Sequence, residues 1–181
     1  MSDPAPLRDP SFVVAAFWGA TATDPEPNWS GTSSYPKGIT MTDHGRQLHI
    51  LLVNDTQEIL DIMQELLEEE GYRVTPSLSL LNVDRIKALA PDIIAQDIMF
   101  EHSQDQGWKM LHLMRIDPEL ARIPIVLCTA AVSVVRDAAM AEQLDRLGVR
   151  VILKPFHIDE LLQVLSEVRI AQGLINQAID G

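Results

Sequence analysis

Hydrophobic residues follow a regular pattern only after about residue 47. From there, short apolar runs alternate with longer stretches in which apolar residues recur at helical spacing. Each run is four to seven residues long, which is typical of strands. The predicted strands cover residues 49–53, 72–75, 92–96, 123–129 and 149–154.

The stretches that follow these runs predict five helices. Apolar residues of the first helix lie on one face, and Gly71 provides its C-terminal stop. The next three helices are predicted over residues 80–90, 107–117 and 132–148, and the last begins near residue 158. The apolar faces of the first and last helices comprise Ile59, Ile62, Met63, Leu66 and Leu67, and Ile158, Leu161, Leu162, Leu165 and Val168.

The strict alternation of strands and helices predicts an α/β fold. The runs are continuously apolar, as expected for strands that are buried on both faces of a parallel sheet. We therefore predict a three-layer, doubly wound (βα)5 fold in which helices cover both faces of a five-stranded parallel sheet.

The first 47 residues differ in composition from the rest. They contain six of the eleven prolines and four of the nine glycines, without any persistent period. We predict a mostly disordered leader over residues 1–47, a folded domain over 48–170, and a tail or helix extension over 171–181. Met41 could serve as an alternative start, which would make part of the leader an upstream extension. The apolar stretch 11–22 lacks the basic flank of a signal peptide, so we expect a cytoplasmic protein.

Charge and composition exclude several classes of partner. The net charge is −12, which disfavours direct contact with nucleic acid or anionic membrane surfaces and suits cations or basic partners. The single cysteine, Cys128, allows no intramolecular disulfide, and its apolar neighbours predict a buried residue. The five histidines have no metal-ligand spacing, and we interpret them as surface or helix-face residues.

Isolated polar residues lie at the carboxyl ends of four of the predicted strands. Asn54 and Asp55 follow the first and Asp97 follows the third, whereas Thr129 ends the fourth and Lys154 ends the fifth. A single acid after a strand is typical of a solvated loop. However, the carboxyl ends of parallel strands meet at one edge, where α/β proteins bind ligands. The combination therefore predicts a functional site.

These residue types suit phosphoryl chemistry. Asp55 and Asp97 are oxygen ligands of the kind that Mg²⁺ prefers, and the backbone carbonyl of Met99 is near in sequence. A carboxylate can also accept a phosphoryl group, and the Lys154 ammonium and Thr129 hydroxyl would stabilise the phosphoryl oxygens. The turn after the first strand contains no glycine, which argues against a Rossmann or P-loop phosphate cradle.

Four motifs now identify a family resemblance. The motifs "ILLVNDTQEI", "PDIIAQDIM", "IPIVLCTA" and "VILKPF", in this order, resemble the receiver domain of two-component response regulators over about residues 47–170. The resemblance implies a flavodoxin-like fold, with Asp97 as the phosphoacceptor and Asp55 as a Mg²⁺ ligand. It assigns the switching hydroxyl to Thr129 and the paired cation to Lys154, and it implies a cis Lys154–Pro155 bond. The Met99 carbonyl is a further candidate ligand, and Asn54 a candidate neighbour of the coordinated waters.

The resemblance also implies partners. The phosphoryl donor would be a phosphohistidine on a sensor histidine kinase or a histidine phosphotransfer protein. The receiver would catalyse its own phosphorylation and would not otherwise act as an enzyme. Signalling would pass to a downstream protein through the face formed by helix 4, strand 5 and helix 5, with a homodimer as a candidate assembly.

Three departures from the family pattern affect these expectations. The acidic pair after the first strand is reduced to Asn54–Asp55, so we expect weaker Mg²⁺ binding. The loop after Asp97 lacks the usual proline and is about two residues longer. Val151 occupies the position of the aromatic switch residue, so the usual relay from Thr129 to the helix 4 face is altered.

Three functions remain open from the sequence. The first is a single-domain phosphoacceptor, since only about a dozen residues follow Val168. The second is a pseudo-receiver that binds partners independently of phosphorylation, which Asn54 and Val151 favour. The third is a phosphatase with Asp97 as its nucleophile, which Met99 disfavours because a second acid is expected at that position.

Overall fold

The computed structural model describes residues 42–43, 46–97, 105–130, 132 and 136–179. Within them, one sheet contains strands β1 (His49–Val53), β2 (Arg73–Ser77), β3 (Ile93–Asp97), β4 (Ile125–Thr129) and β5 (Val149–Leu153). The helices that alternate with these strands are α1 (Gln57–Glu69), α2 (Val83–Leu89), α3 (Asp105–Ile116), α4 (Ala138–Arg146) and α5 (Ile158–Ile179). The predicted alternation of five strands and five helices is confirmed.

All five strands are parallel, in the order β2-β1-β3-β4-β5. The chain first adds β2 on one side of β1 and then crosses to add β3 on the other. This order is that of the flavodoxin-like fold, as expected. Its reversal point lies between β1 and β3, so the carboxyl ends of these two strands border the crevice in which such folds bind ligands.

Helices cover both faces of the sheet. One hydrophobic cluster joins α1 and α5 to the face that carries Ile50 and Leu52. The other joins α2, α3 and α4 to the face that carries Leu51 and Val53. Every residue of β1, β3 and β4 is buried, which explains why their sequences do not alternate. None of the helices in the described ranges combines the length and apolar character needed to cross a membrane.

Helix ends follow the local sequence. After α1, Gly71 has a φ of 89°, and Tyr72 N–H donates to the Leu67 carbonyl at 3.0 Å, which closes the helix as predicted. At the start of α2, the Asn82 side chain accepts a hydrogen bond from the backbone N–H of Arg85. Both turns therefore depend on residue types that suit helix termini.

The helix predicted over residues 132–148 is interrupted at Asp137. Val132 and Arg136 are helical, whereas Asp137 is extended and caps a second helix, α4, that starts at Ala138. Its carboxylate accepts hydrogen bonds from the backbone N–H groups of Ala139 and Met140, at 2.9 and 3.1 Å. These bonds satisfy donors that would lack partners at a helix start, so Asp137 acts as a cap and not as an interior residue.

Several predictions lie outside the described residues. They include most of the disordered leader, the Met99 carbonyl and the lengthened loop after Asp97. Within the predicted leader, Thr42–Asp43 pairs antiparallel with Arg46–Gln47 in a separate two-stranded ladder. These four residues therefore differ from the prediction, because their backbones pair locally.

Arg115 connects three parts of the domain. This residue lies at the end of α3, and burial lowers the pKa of its guanidinium. Its side chain donates to the backbone carbonyls of Leu147 at 2.6 Å, Ile123 at 2.9 Å and Ala121 at 3.4 Å. Because Leu147 is the C-cap of α4, Arg115 joins the ends of α3 and α4 to the segment that leads into β4.

His49 is not a surface residue, which corrects the prediction. It is the first residue of β1 and only 1% exposed. Its Nε2 lies 2.7 Å from Thr75 Oγ1, and its backbone N–H donates to Asp92 Oδ2 at 2.7 Å. Burial lowers the pKa of His49, and the nearby positive charge of Arg73 lowers it further. The folded state therefore favours neutral His49.

This burial predicts a pH-dependent stability. Below about pH 6.5 the unfolded chain binds a proton at His49 more readily than the folded protein does, so the free energy of unfolding should fall as the pH is lowered. The variant His49→Gln should lack this contribution. Urea unfolding measured by circular dichroism between about pH 7.5 and 5.5 would test it. Equal pH slopes for both proteins would contradict the prediction.

Candidate functional site

The centre of the site is an ion pair between Asp97 and Lys154. Asp97 is the last residue of the central strand β3, and Lys154 directly follows β5. Lys154 Nζ lies 2.5 Å from Asp97 Oδ2, and the two side chains are 7% and 9% exposed for Lys154 and Asp97 respectively. Because β4 lies between β3 and β5, the lysine side chain reaches across the end of a strand to meet the carboxylate.

Asn54 is the second neighbour of the carboxylate. It directly follows β1, is 4% exposed, and its Nδ2 lies 3.5 Å from Asp97 Oδ2. This is longer than an ordinary N–H···O hydrogen bond, so the contact orients the two groups more than it binds them. The Asn54 Oδ1 accepts a hydrogen bond from Thr56 N–H at 2.9 Å. Asn54 was predicted to weaken Mg²⁺ binding and to lie near the coordinated waters, but neither of these two contacts was predicted.

A signal for this arrangement was present in the sequence. Asparagine in a turn commonly accepts a hydrogen bond from the backbone two residues later. The segment Asn54–Asp55–Thr56 directly follows a strand, where such a turn is expected. Its geometry directs the amide nitrogen towards the neighbouring strand end.

Thr129 ends β4 beside the ion pair. It is completely buried, and its carbonyl accepts a hydrogen bond from Lys154 N–H at 2.8 Å. Its neighbour Cys128 pairs with Asp97 in the sheet register. Burial raises the pKa of Cys128 to about 12, so the thiol stays protonated. The prediction that Cys128 is a buried residue is confirmed.

Carboxylate oxygens suit a hard cation at this edge. Asp55 follows Asn54 and is exposed, and the Thr56 hydroxyl donates to its Oδ1 at 3.4 Å. Mg²⁺ binds one or two carboxylates and keeps several waters, so Asp55 and Asp97 fit its requirements. In the described part of the chain, no group of three His, Cys, Asp or Glu residues is placed to hold a metal. A cation here would therefore need ligands of other types, including water.

Val151 and Pro155 lie on either side of Lys154. Val151 is half-buried in β5 and packs against the cluster shared with α2, α3 and α4. It thus occupies the position of the expected aromatic switch as an ordinary packing residue. The Lys154–Pro155 bond is cis, as predicted.

Comparison with known proteins identifies the family. Residues 50–166 match the response regulator receiver domain, which covers more than half of the chain. The protein therefore belongs to the response regulator receiver domain family of two-component signalling.

Two characterised proteins share part of their sequence with this chain. It is 33% identical over 128 residues, or 70% of its length, to the alginate biosynthesis transcriptional regulatory protein AlgB of Pseudomonas syringae pv. tomato. It is 30% identical over 114 residues, or 62% of its length, to hybrid signal transduction histidine kinase D of Dictyostelium discoideum. The chain spans only 27% and 7% of the lengths of these relatives.

Solved structures support the fold. The chemotaxis response regulator CheY4 of Vibrio cholerae aligns with a TM-score of 0.53 at 21% identity, over 67% of this chain and 98% of that one. The receiver domain of a LuxO repressor protein from Vibrio parahaemolyticus aligns with a TM-score of 0.58 at 17% identity, over 75% and 98%. At these identities the similarity establishes the fold alone.

The ion pair predicts a large effect of removing one charge. In Lys154→Met, Asp97 would remain buried after losing its charged partner, so we expect the free energy of unfolding to fall by about 3 kcal/mol. The double variant Asp97→Asn/Lys154→Met should recover much of this loss, because no charge is then left behind. Urea unfolding of the two single variants and the double variant would measure the coupling. Additive effects would contradict a direct interaction.

Proposed function

We propose that the protein accepts a phosphoryl group on Asp97 from a phosphohistidine, in a reaction that depends on Mg²⁺. The donor is a sensor histidine kinase or a histidine phosphotransfer protein. The observation that carries the proposal is the Asp97 carboxylate at the end of the central strand, with Lys154 Nζ 2.5 Å away. Membership of the receiver family supports the assignment of this carboxylate as the acceptor.

The proposed transfer forms one bond and breaks one. An Asp97 oxygen attacks phosphorus while the phosphorus–nitrogen bond to the donor histidine breaks, and the imidazole leaves with the electron pair. The product is an acyl phosphate on Asp97. Lys154 stabilises the charge that develops on the phosphoryl oxygens, and the Thr129 hydroxyl donates a hydrogen bond to one of them. Hydrolysis of the acyl phosphate later restores the carboxylate.

The proposal includes a Mg²⁺ ion beside the acceptor carboxylate. Asp55 and Asp97 would hold Mg²⁺, together with the Met99 carbonyl and water molecules. When bound, the ion neutralises charge on the phosphoryl oxygens. Lys154 provides one positive charge, whereas the carboxylate and the incoming phosphoryl group together carry more than one negative charge, which is why the proposal includes a second cation.

The output of the proposed switch is a protein–protein interaction. The net charge of −12 disfavours direct binding of nucleic acid or anionic membranes. Thr129 ends the strand that precedes α4, so its reorientation towards a phosphoryl group would change the α4–β5–α5 face. A downstream protein, or a second copy of this chain, would bind that face in the cytoplasm.

A second candidate function is a receiver that binds its partner independently of phosphorylation. Two observations favour it. Asn54 replaces a carboxylate next to the acceptor, and the half-buried Val151 packs against the core where the family carries an aromatic switch. Under this alternative, Asp97 and Lys154 have only a structural role.

The acceptor role predicts a specific covalent modification. Incubation with acetyl phosphate and Mg²⁺ should add one phosphoryl group to the intact protein, as measured by mass spectrometry. Asp97→Asn should abolish the addition because the nucleophile is lost. Asp84→Asn, which removes an exposed carboxylate from the first turn of α2, should leave it unchanged.

The outcomes separate the two candidate functions. Labelling that requires Mg²⁺ and Asp97 supports the phosphoacceptor. Labelling that persists in Asp97→Asn would assign another residue. If the protein remained unlabelled both by acetyl phosphate and by a phosphorylated histidine kinase domain, the phosphorylation-independent alternative would be preferred.

Switching predicts a change in α4. Beryllium fluoride, which imitates a phosphoryl group on an aspartate, should shift the backbone amide resonances of α4 (Ala138–Arg146) in an NMR spectrum. The shifts should be much smaller in Thr129→Ala, because the buried hydroxyl connects the acceptor to the segment before α4. Unchanged α4 resonances, with resonances around Asp97 shifted, would show that Val151 leaves the relay uncoupled.

A further inference from the structure

Two contacts fix the orientation of the Asn54 amide. Its Oδ1 accepts from Thr56 N–H at 2.9 Å, and its Nδ2 faces Asp97 Oδ2 at 3.5 Å. Rotating the amide by half a turn would place two donors together at Thr56 and two acceptors together at Asp97. Both contacts therefore require the same orientation, in which the oxygen is already used by the turn.

This orientation is unsuited to metal binding. A cation needs an oxygen ligand, whereas the group that Asn54 presents to Asp97 is a pair of N–H donors. The residue is 4% exposed, so the amide has little room to turn towards a solvated ion. Both Asn54 Nδ2 and Lys154 Nζ approach the same oxygen, Asp97 Oδ2.

An aspartate at this position would behave differently. One of its oxygens would still accept from Thr56 N–H, and the other would face Asp97 Oδ2. Two carboxylate oxygens that face each other repel unless a cation or a proton lies between them. An acid here would thus favour a bound cation, whereas the amide of Asn54 relieves the repulsion without one.

We infer that Asn54 is a positioning residue whose amide N–H groups face the acceptor carboxylate at 3.5 Å, and that it stabilises the metal-free site at the expense of Mg²⁺ affinity. The inference rests on the proposed function for its role in phosphoryl transfer. It is an alternative to the prediction that Asn54 lies near the waters of a bound metal. Asp55 then remains as the only carboxylate that the turn after β1 contributes to Mg²⁺ binding.

Replacing the amide donor of Asn54 by a carboxylate, which only accepts, tests this inference. Asn54→Asp should bind Mg²⁺ about tenfold more tightly than the parent protein, since affinity rises with the number of ligand charges. Mg²⁺ titration followed by backbone amide resonances of residues 54–56 would measure the affinity. Without Mg²⁺, Asn54→Asp should melt at a lower temperature than the parent, and added Mg²⁺ should remove this difference.

A matched control separates local from general effects of charge. Asn82→Asp makes the same chemical change at the exposed N-cap of α2, where aspartate caps as well as asparagine. It should leave Mg²⁺ affinity within about twofold of the parent. If Asn82→Asp tightened Mg²⁺ binding as much as Asn54→Asp, total charge would be the cause and the inference would fail.

A second variant tests whether Asn54 is a ligand. Serine can accept from Thr56 N–H, but its short side chain lacks the amide N–H groups that face Asp97. Asn54→Ser should therefore retain Mg²⁺ affinity, whereas a marked loss would identify Asn54 as a ligand and overturn the inference. The Mg²⁺ affinity of Asn54→Ser can be measured and interpreted even if Asn54→Asp does not fold. Equal Mg²⁺ affinity of Asn54→Asp and the parent would also overturn it.

These results are independent of the labelling experiment. Metal affinity and melting temperature are measured without any phosphoryl donor. If Asp97 is not phosphorylated but Asn54→Asp gains Mg²⁺ affinity, the proposed function fails and the role of Asn54 holds. If Asp97 is phosphorylated but Asn54→Asp binds Mg²⁺ no more tightly than the parent, the proposed function holds and the role of Asn54 fails.

Discussion

Burial of the central strands on both faces is the constraint on which this structure depends. All residues of β1, β3 and β4 are covered by helices. A polar side chain inside such a sheet would have to lose its contact with water, so polar groups accumulate at the two ends of the strands. His49 and Asp92 meet at the amino ends, and Asp97 and Lys154 meet at the carboxyl ends. The parallel direction of the strands brings residues 57 positions apart into one site.

At the carboxyl ends of the strands, the opposite charges of Asp97 and Lys154 attract each other, and both side chains are largely shielded from water. A buried carboxylate is costly unless opposite charge and donors surround it. Here the ammonium of Lys154 provides the charge, and the amide of Asn54 adds a weaker, orienting contact. The negative charge of Asp97 is thus compensated by other groups of the protein. This compensation stabilises the folded state, and under the proposed function the same donors would have to turn towards the phosphoryl group.

The sequence predicted the framework well because burial leaves a clear pattern. Continuous apolar runs identified the strands, and glycine or proline identified most helix ends. The break at Asp137 was missed because this residue forms local hydrogen bonds that a periodicity cannot detect. His49 was misplaced because its partners, Thr75 and Asp92, are distant in sequence. The orientation of Asn54 also depends on Asp97, 43 residues away, although the turn to Thr56 was visible locally.

The contacts of Arg115 have a mechanical consequence. Its guanidinium holds the C-cap of α4, at Leu147, against the end of α3 and the segment before β4. The opposite end of α4 begins at Ala138, next to its cap Asp137. Arg115 therefore holds one end of the helix in place. Under the proposed switch, we expect the displacement of α4 to be smallest at Leu147 and largest near Asp137.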